Sequence, residues 1–161
     1  MIAPAALLAL HMDPPGPVPA MGDHAMLGEL TAEAVDAFVA AVGPTSGSPL
    51  ITAELRHLGG ALARRTDDGG ALGTIHGAYA FFGAGVVVDE DSAGAVAGQL
   101  ERAKGALAPW VAGREYLNFV EHPVDTSTSY DQADYAVLRE IRALVDPEQL
   151  FRANHPIPPA R

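Results

Sequence analysis

The sequence contains no cysteine among its 161 residues. Without cysteine the protein has no disulfide framework, no thiolate metal site and no cysteine nucleophile. Basic residues are scarce as well, since 10 Lys and Arg stand against 20 Asp and Glu and give a formal net charge of −10. A nucleic-acid binder needs a basic face for the phosphates, so no nucleic-acid partner is expected.

Long hydrophobic runs are also missing. No run approaches the roughly 18 to 20 apolar residues that span a bilayer, so no membrane partner is expected. The apolar start from Met1 to Leu10 faintly resembles the central region of a secretion signal, but it lacks the positive flank and a clean cleavage site. A cytoplasmic location is therefore favoured over secretion.

Three helices are predicted from apolar stripes bounded by capping and stop signals. The first follows Thr31, the second follows Asp89 and the third follows Asp131. Their inward residues are expected to be Val35, Phe38, Val39 and Val42 in the first, Val96, Leu100, Ala103 and Leu107 in the second, and Val137, Leu138, Ile141, Leu144 and Val145 in the third. No regular element is predicted before Thr31.

Three extended segments are predicted between and after the first helices. Leu50 to His57 alternates apolar and polar residues, which indicates a half-buried strand. Thr74 to Val88 is apolar and spaced by glycines, which indicates one bent strand or two short strands that break at Gly83 and Gly85. Tyr116 to Glu121 is predicted to be a strand as well.

This order of elements predicts an α+β fold. We expect an antiparallel sheet with about three helices packed on one face and a C-terminal tail returning across the domain. Hydrophobic residues make up 48% of the chain, which is enough for one domain with a substantial core.

Candidate reactive groups are few. Six histidines are present, but none stands at a paired metal-ligand spacing, so no metal site is expected. One cluster has mixed chemistry, namely Tyr116 and Asn118 together with Asn154 and His155. On a regular strand Tyr116 and Asn118 point to one face, where a phenol and a carboxamide suit a polar heterocycle. Alternatively, Tyr116 and Asn118 are a buried pair whose side chains form hydrogen bonds with backbone N–H and C=O groups.

Specific motifs surround this cluster. They are Tyr116-Leu117-Asn118-Phe119, Val145-Asp146-Pro147, Phe151-Arg152-Ala153-Asn154-His155-Pro156-Ile157-Pro158-Pro159 and the upstream Glu54-Leu55-Arg56-His57-Leu58-Gly59-Gly60-Ala61. The C-terminal motifs closely resemble the berberine-bridge-enzyme-like segment of FAD-linked oxidases, which are flavoproteins of the vanillyl-alcohol-oxidase type. The upstream motif resembles the substrate-domain strand of bacterial members.

The resemblance implies a role for the whole chain. Residues 1–161 are expected to form a single, truncated substrate-capping domain, with a berberine-bridge-like segment at about 115–159 and with the N-terminal FAD-binding domain absent. Such a domain covers the flavin and shapes the pocket for a small alcohol, sugar or amine. The expected FAD contacts are Tyr116, Asn118 and Asn154, and the expected pocket residues are His57, Tyr79 and Phe119.

The chain also departs from the family pattern. Several members carry a tyrosine base where this sequence has Phe119, and phenylalanine has no proton to exchange. Others carry a glutamate base on the strand that corresponds roughly to residues 79–85, where no acid occurs. No catalytic residue is therefore assigned.

The missing FAD domain leads to three further expectations. The isolated chain should bind FAD weakly or not at all, because half a cofactor site loses much of its contact area. The partner is then a separate FAD-binding domain, which should cover an exposed apolar patch around Tyr79 to Val88. The alternative function is a non-catalytic acidic interaction or remnant domain that pairs with a separately encoded flavin domain.

Overall fold

A computed structural model describes residues 6, 16–66 and 69–160. These residues form strands β1 (Ala20–Leu27), β2 (Thr52–His57) and β3 (Tyr79–Val86), and helices α1 (Ala32–Val42), α2 (Glu90–Leu107) and α3 (Gln132–Val145). Four short 3-10 segments lie at Gly60–Ala63, Ala108–Trp110, Leu117–Phe119 and Thr126–Ser129. The predicted α+β class is confirmed. The signal-like run at residues 1–10 lies, apart from residue 6, outside the described residues.

The sheet is antiparallel, with the strand order β1-β3-β2. The central strand β3 pairs with both neighbours, so that Phe82 lies opposite His24 on one side and Glu54 on the other. Pairing continues through Gly83 and Gly85, so of the two predicted alternatives the single strand is found and the pair of short strands is wrong.

The glycines of β3 serve helix packing. A Cβ atom on Gly85 would lie 2.5 Å from a methyl carbon of Val96 on α2. Because real Cβ atoms do not come this close, only glycine lets α2 approach the sheet at this point.

Strand β1 is an element that the sequence patterns do not predict. Its C-terminal half, His24 to Leu27, is buried. Ala25 and Leu27 face the helices, whereas Met26 packs against residues on the opposite side of the sheet. A strand that is covered on both faces shows no alternation of apolar and polar residues, and this alternation is the pattern by which a strand is usually recognised in a sequence.

Helix α2 covers β1 and β3 and also packs on α1. Its four predicted inward residues are all buried, which confirms that part of the prediction. The core beneath it consists of Ala25, Leu27, Phe81, Ala103 and Leu107. The expected apolar patch around Tyr79 to Val88 is therefore wrong for most of its length, since α2 covers one face of β3; Val88 is exposed.

Helix α1 begins where predicted. The Thr31 hydroxyl accepts a hydrogen bond from the Ala34 N–H, and Phe38 and Val42 pack against the core. Val35 and Val39 are exposed, however, so their predicted inward position is wrong. The helix packs against α2 rather than flat on the sheet. This contact needs only a narrow apolar stripe, so Val35 and Val39 lie outside it.

Helix α3 is oriented differently from the prediction. It follows Asp131 as expected, but the residue that it buries is Asp134. Four of the five residues predicted to face inward are exposed: Val137, Ile141, Leu144 and Val145. The apolar residues do lie on one face of the helix, but this face points away from the domain. Polar contacts hold the helix in place.

The C-terminal tail returns across the domain, as predicted. The Ala160 N–H bonds to the Arg139 carbonyl at 3.0 Å, and the Thr126 hydroxyl donates to the Pro156 carbonyl at 3.2 Å. Residues 150–160 therefore run back beside α3 toward the segments that precede it.

Candidate functional site

The segment from Tyr116 to Glu121 is not a strand. Leu117–Phe119 is a 3-10 turn, in which the Phe119 N–H bonds to the Tyr116 carbonyl at 2.9 Å. The predicted strand is wrong, because the backbone bonds to itself and not to a neighbouring strand. Tyr116 and Asn118 still lie close together, with 3.5 Å between the Asn118 amide nitrogen and the Tyr116 hydroxyl.

An aromatic layer holds this turn on the sheet face opposite α2. The Phe119 ring stacks on Phe82 with centroids 4.6 Å apart, and the Tyr116 ring meets it edge-on at 5.0 Å. The Arg56 guanidinium lies 4.9 Å from the centroid of the Phe119 ring. Phe119 therefore positions the turn through packing and cation–π contact.

Asn118 and Asn154 line one open groove of about 530 Å³. The tail reaches this groove because the His155 Nε2–H donates to the Val120 carbonyl at 2.8 Å. On the other side, a carboxylate oxygen of Glu121 accepts from the Gly22 N–H at 3.0 Å. Two carboxamides that are distant in the sequence thus border the same polar space.

His57 and Tyr79 lie elsewhere. Their rings are 4.9 Å apart at the ends of β2 and β3. Tyr79 packs on the core under α2, whereas Phe119 packs on the opposite side of the sheet, against a cluster that includes Met26. The structure therefore does not bring these two residues together with Phe119.

A buried histidine beneath the turn was missed at the sequence level. The His24 side chain is only 2% exposed, and its Nε2 lies 3.2 Å from the Tyr116 backbone nitrogen and 3.1 Å from a Glu115 carboxylate oxygen. His24 lines a cavity of about 260 Å³ together with Asp23, Lys104 and His122. Because it lies on the unpredicted strand β1, no local pattern could have indicated it.

The protonation of His24 decides which of these contacts forms. Burial lowers its pKa, although the charges of Glu115 and Asp23 oppose the shift. The neutral ring accepts from the Tyr116 N–H through Nε2. The protonated ring has no acceptor and can only donate to Glu115, so the turn that carries Tyr116 then loses one of its anchors.

We expect the stability of the protein to fall in mild acid through His24. Since the folded pKa lies below the ordinary 6.5, the unfolded chain takes up the proton first. The contribution is complete above about pH 6.5 and declines as the pH falls from there toward the folded pKa. Urea unfolding at several pH values should show a steeper decline for the wild type than for His24→Gln. Equal declines in both proteins would contradict this role.

Asp131, another titratable group of the described residues, pairs with two basic side chains. The Asp131 carboxylate accepts hydrogen bonds from His76 at 2.9 Å and from Arg114 at 2.6 Å. The sequence predicted this residue only as the cap of α3. Among the residues that the structure describes, no group of three or more His, Asp or Glu is arranged to hold a metal ion. In the same parts of the chain, no helix is both long and apolar enough to cross a membrane.

Comparison with known proteins shows a partial similarity in sequence to an FAD-linked oxidoreductase. No known family profile matches the chain. Over 63 residues it is 40% identical to YvdP of Bacillus subtilis (strain 168), which is described as an uncharacterized FAD-linked oxidoreductase. That match covers 38% of this chain and 14% of YvdP.

Two solved structures share the fold. A variant of Physcomitrella patens BBE-like 1 superposes over 95% of this chain with a TM-score of 0.64 and 15% identity. The protein FgChi7B superposes over 88% with a TM-score of 0.58 and 15% identity. The chain spans about a third of each, 33% and 34% respectively. The chain thus shares its fold with part of a BBE-like protein, and its sequence match is to an FAD-linked oxidoreductase, so the predicted resemblance to FAD-linked oxidases is confirmed.

Proposed function

We propose that this chain is the flavin-covering, substrate-pocket domain of an FAD-dependent oxidoreductase. The observation that carries the proposal is the groove bordered by Asn118 and Asn154. Each carboxamide offers two donor hydrogens and one acceptor oxygen, which suits the mixed donors and acceptors of a flavin ring or its ribityl chain. When bound, FAD supplies the capacity to accept hydride from a substrate.

The residues of this chain would bind and orient rather than exchange protons. Tyr116 extends the groove through its contact with Asn118, and we propose both as flavin contacts together with Asn154. Phe119, backed by Phe82, would border a small alcohol, sugar or amine substrate. His57 and Tyr79 lie on the face of the sheet opposite Phe119 and Phe82. We therefore assign them no place in the pocket.

The remaining contacts to FAD would come from another flavin-binding domain. The chain spans about a third of the structures that share its fold. Most of the contact area that offsets the entropy of cofactor binding would then lie outside this chain, and alone it should bind FAD weakly or not at all.

Substitution of the two asparagines tests the proposal. In the enzyme reconstituted with a flavin-binding domain, Asn118→Leu and Asn154→Leu should each raise the Kd for FAD roughly tenfold, since each removes about one hydrogen bond to the ligand. Gln132→Leu is the matched control, because that amide lies exposed at the start of α3. Flavin absorbance and fluorescence titrations provide the affinities.

The same variants separate the two candidate roles. Unchanged flavin affinity and unchanged turnover in both asparagine variants would remove the groove from the flavin site. That outcome would favour the non-catalytic alternative, in which the chain only supports a separately encoded flavin domain.

A further inference from the structure

His24 meets two competing partners through one ring nitrogen. Its Nε2 atom lies 3.2 Å from the Tyr116 backbone nitrogen and 3.1 Å from a Glu115 carboxylate oxygen. The Tyr116 N–H needs a nitrogen that accepts, whereas the carboxylate needs an N–H that donates. The other nitrogen, Nδ1, is buried and has no hydrogen-bond partner among the described residues, so it does not take over either contact. The two contacts at Nε2 therefore exclude each other.

The surroundings make Glu115 the carboxylate that receives a protonated ring. Asp23 is engaged elsewhere, because one of its oxygens accepts from the Lys104 ammonium group at 2.6 Å and the other accepts from the backbone N–H of His24 at 2.7 Å. Strand β3, which pairs with β1, carries no charged residue. The charged and titratable groups around the ring are Asp23 of β1, Lys104 of α2, Arg114 and Glu115 before the turn, and His122 after it.

The ring is fixed, whereas its second partner is free to move. The His24 side chain is 2% exposed, and that of Glu115 is 47% exposed. The cavity of about 260 Å³ beside the ring gives the carboxylate and the turn room to shift. Burial lowers the pKa of His24, so the uncharged ring prevails near neutrality and the contact with Tyr116 is the resting one.

We infer that His24 is a proton-controlled positioning residue for the flavin groove, an inference that rests on the proposed function. The neutral ring holds the Tyr116 N–H and with it the turn Leu117–Phe119, which brings Asn118 to the groove. Addition of one proton to Nε2 breaks this hydrogen bond and forms another, from Nε2–H to the Glu115 carboxylate. This exchange of partners is called the His24 switch below.

The effect of the His24 switch is local. Phe119 stays stacked on Phe82, so the far end of the turn remains attached to the sheet. The near end is released, and Tyr116 and Asn118 lose their fixed positions beside the flavin. Flavin binding and protonation of His24 then compete, and the Kd for FAD should rise by up to roughly tenfold per pH unit below the folded pKa.

The free chain tests the His24 switch without any cofactor. Nuclear magnetic resonance follows the Tyr116 amide and the His24 ring of the full-length wild type between about pH 7.5 and 5. We expect both signals to change with one midpoint and the amides of Leu117–Phe119 to become more mobile below it. His57→Gln is the matched control, because it removes an exposed histidine at the end of β2 and should leave this titration unchanged.

Two variants distinguish the His24 switch from a merely structural contact. His24→Gln supplies an amide oxygen that accepts at every pH, so the Tyr116 amide should keep its resting position and no longer titrate. Glu115→Gln keeps the ring but removes the charge that raises the pKa of His24, so the midpoint should move to lower pH. Glu115 is exposed, so this second variant requires no repacking of the core.

Flavin affinity tests the consequence. In the enzyme reconstituted with a flavin-binding domain, absorbance titrations with FAD should give a Kd that rises in mild acid for the wild type and for His57→Gln. The Kd of His24→Gln should stay constant over the same pH range, since its amide cannot take up a proton.

The remaining outcomes contradict one of the two claims. A Tyr116 amide that does not change with the His24 ring, or that changes equally in His24→Gln, would overturn the inference. An unmoved midpoint in Glu115→Gln would overturn it as well, because Glu115 would then not be the alternative partner. Conversely, a turn that titrates through His24 while the FAD affinity of the wild type stays constant would support the His24 switch and contradict the proposed function.

Discussion

Replacing Phe81 by alanine is expected to lower the free energy of unfolding by about 3–5 kcal/mol, the largest effect of any single change proposed for this chain. Phe81 is 0% exposed in the middle of the central strand. Its ring meets Phe38 edge-on at 6.2 Å, and it contributes to the core that joins β1, β3 and α2. Truncation would leave a cavity that the paired strand cannot close by shifting.

Phe151→Ala is the matched control for this measurement. The same atoms are deleted there, but the Phe151 ring is mostly exposed, so its change should stay within about 0.5 kcal/mol. Urea unfolding followed by circular dichroism gives both values. Similar losses in the two variants would contradict the assignment of Phe81 to the core.

Replacing Asp146 by alanine should cost about 2–3 kcal/mol and release the tail. The carboxylate is buried at the end of α3, pairs with Arg142 at 2.8 Å and accepts the N–H groups of Leu150 and Phe151. Alanine would leave these donors without an acceptor. Asn154 would then lose its place in the groove that Asn118 also lines, and the flavin affinity of the reconstituted enzyme should fall as a result.

Two further variants sharpen this prediction. Asp146→Asn keeps one acceptor oxygen and should lose less stability than alanine. Glu148→Ala removes an exposed carboxylate two residues later and should have little effect. Hydrogen exchange of residues 150–155 reports release of the tail, and unchanged exchange in Asp146→Ala would contradict the role of Asp146 in holding it.

Local chemistry explains what could be predicted. Thr31 caps α1, Asp89 caps α2, and Asp146-Pro147 ends α3, because such signals act within one helical turn. The stripe of α2 was also correctly assigned to the core, and its four residues are buried where the helix packs on β1 and β3. Each motif that carries the family resemblance is a short contiguous run and could be recognised directly in the sequence.

The features that were missed depend on contacts between distant residues. Strand β1 shows no alternation because both of its faces are covered, and His24 is hidden with it. Tyr116 to Glu121 has the composition of a strand, yet stacking of Phe119 on Phe82 and the bond from Tyr116 to His24 hold it as a turn. Such partners cannot be inferred from neighbouring residues.

The sequence by itself determined the helix boundaries, the α+β class, the absence of cysteine chemistry and the resemblance to flavoproteins. Only the tertiary structure decided which way α3 faces, because its orientation depends on the ion pair between Arg65 and Asp134, which are 69 residues apart. The structure also decided that Asn118 and Asn154 share a groove. The periodicity of a sequence predicts that a helix has an apolar and a polar face. Which of the two packs on the domain depends on contacts with residues that are distant in the sequence.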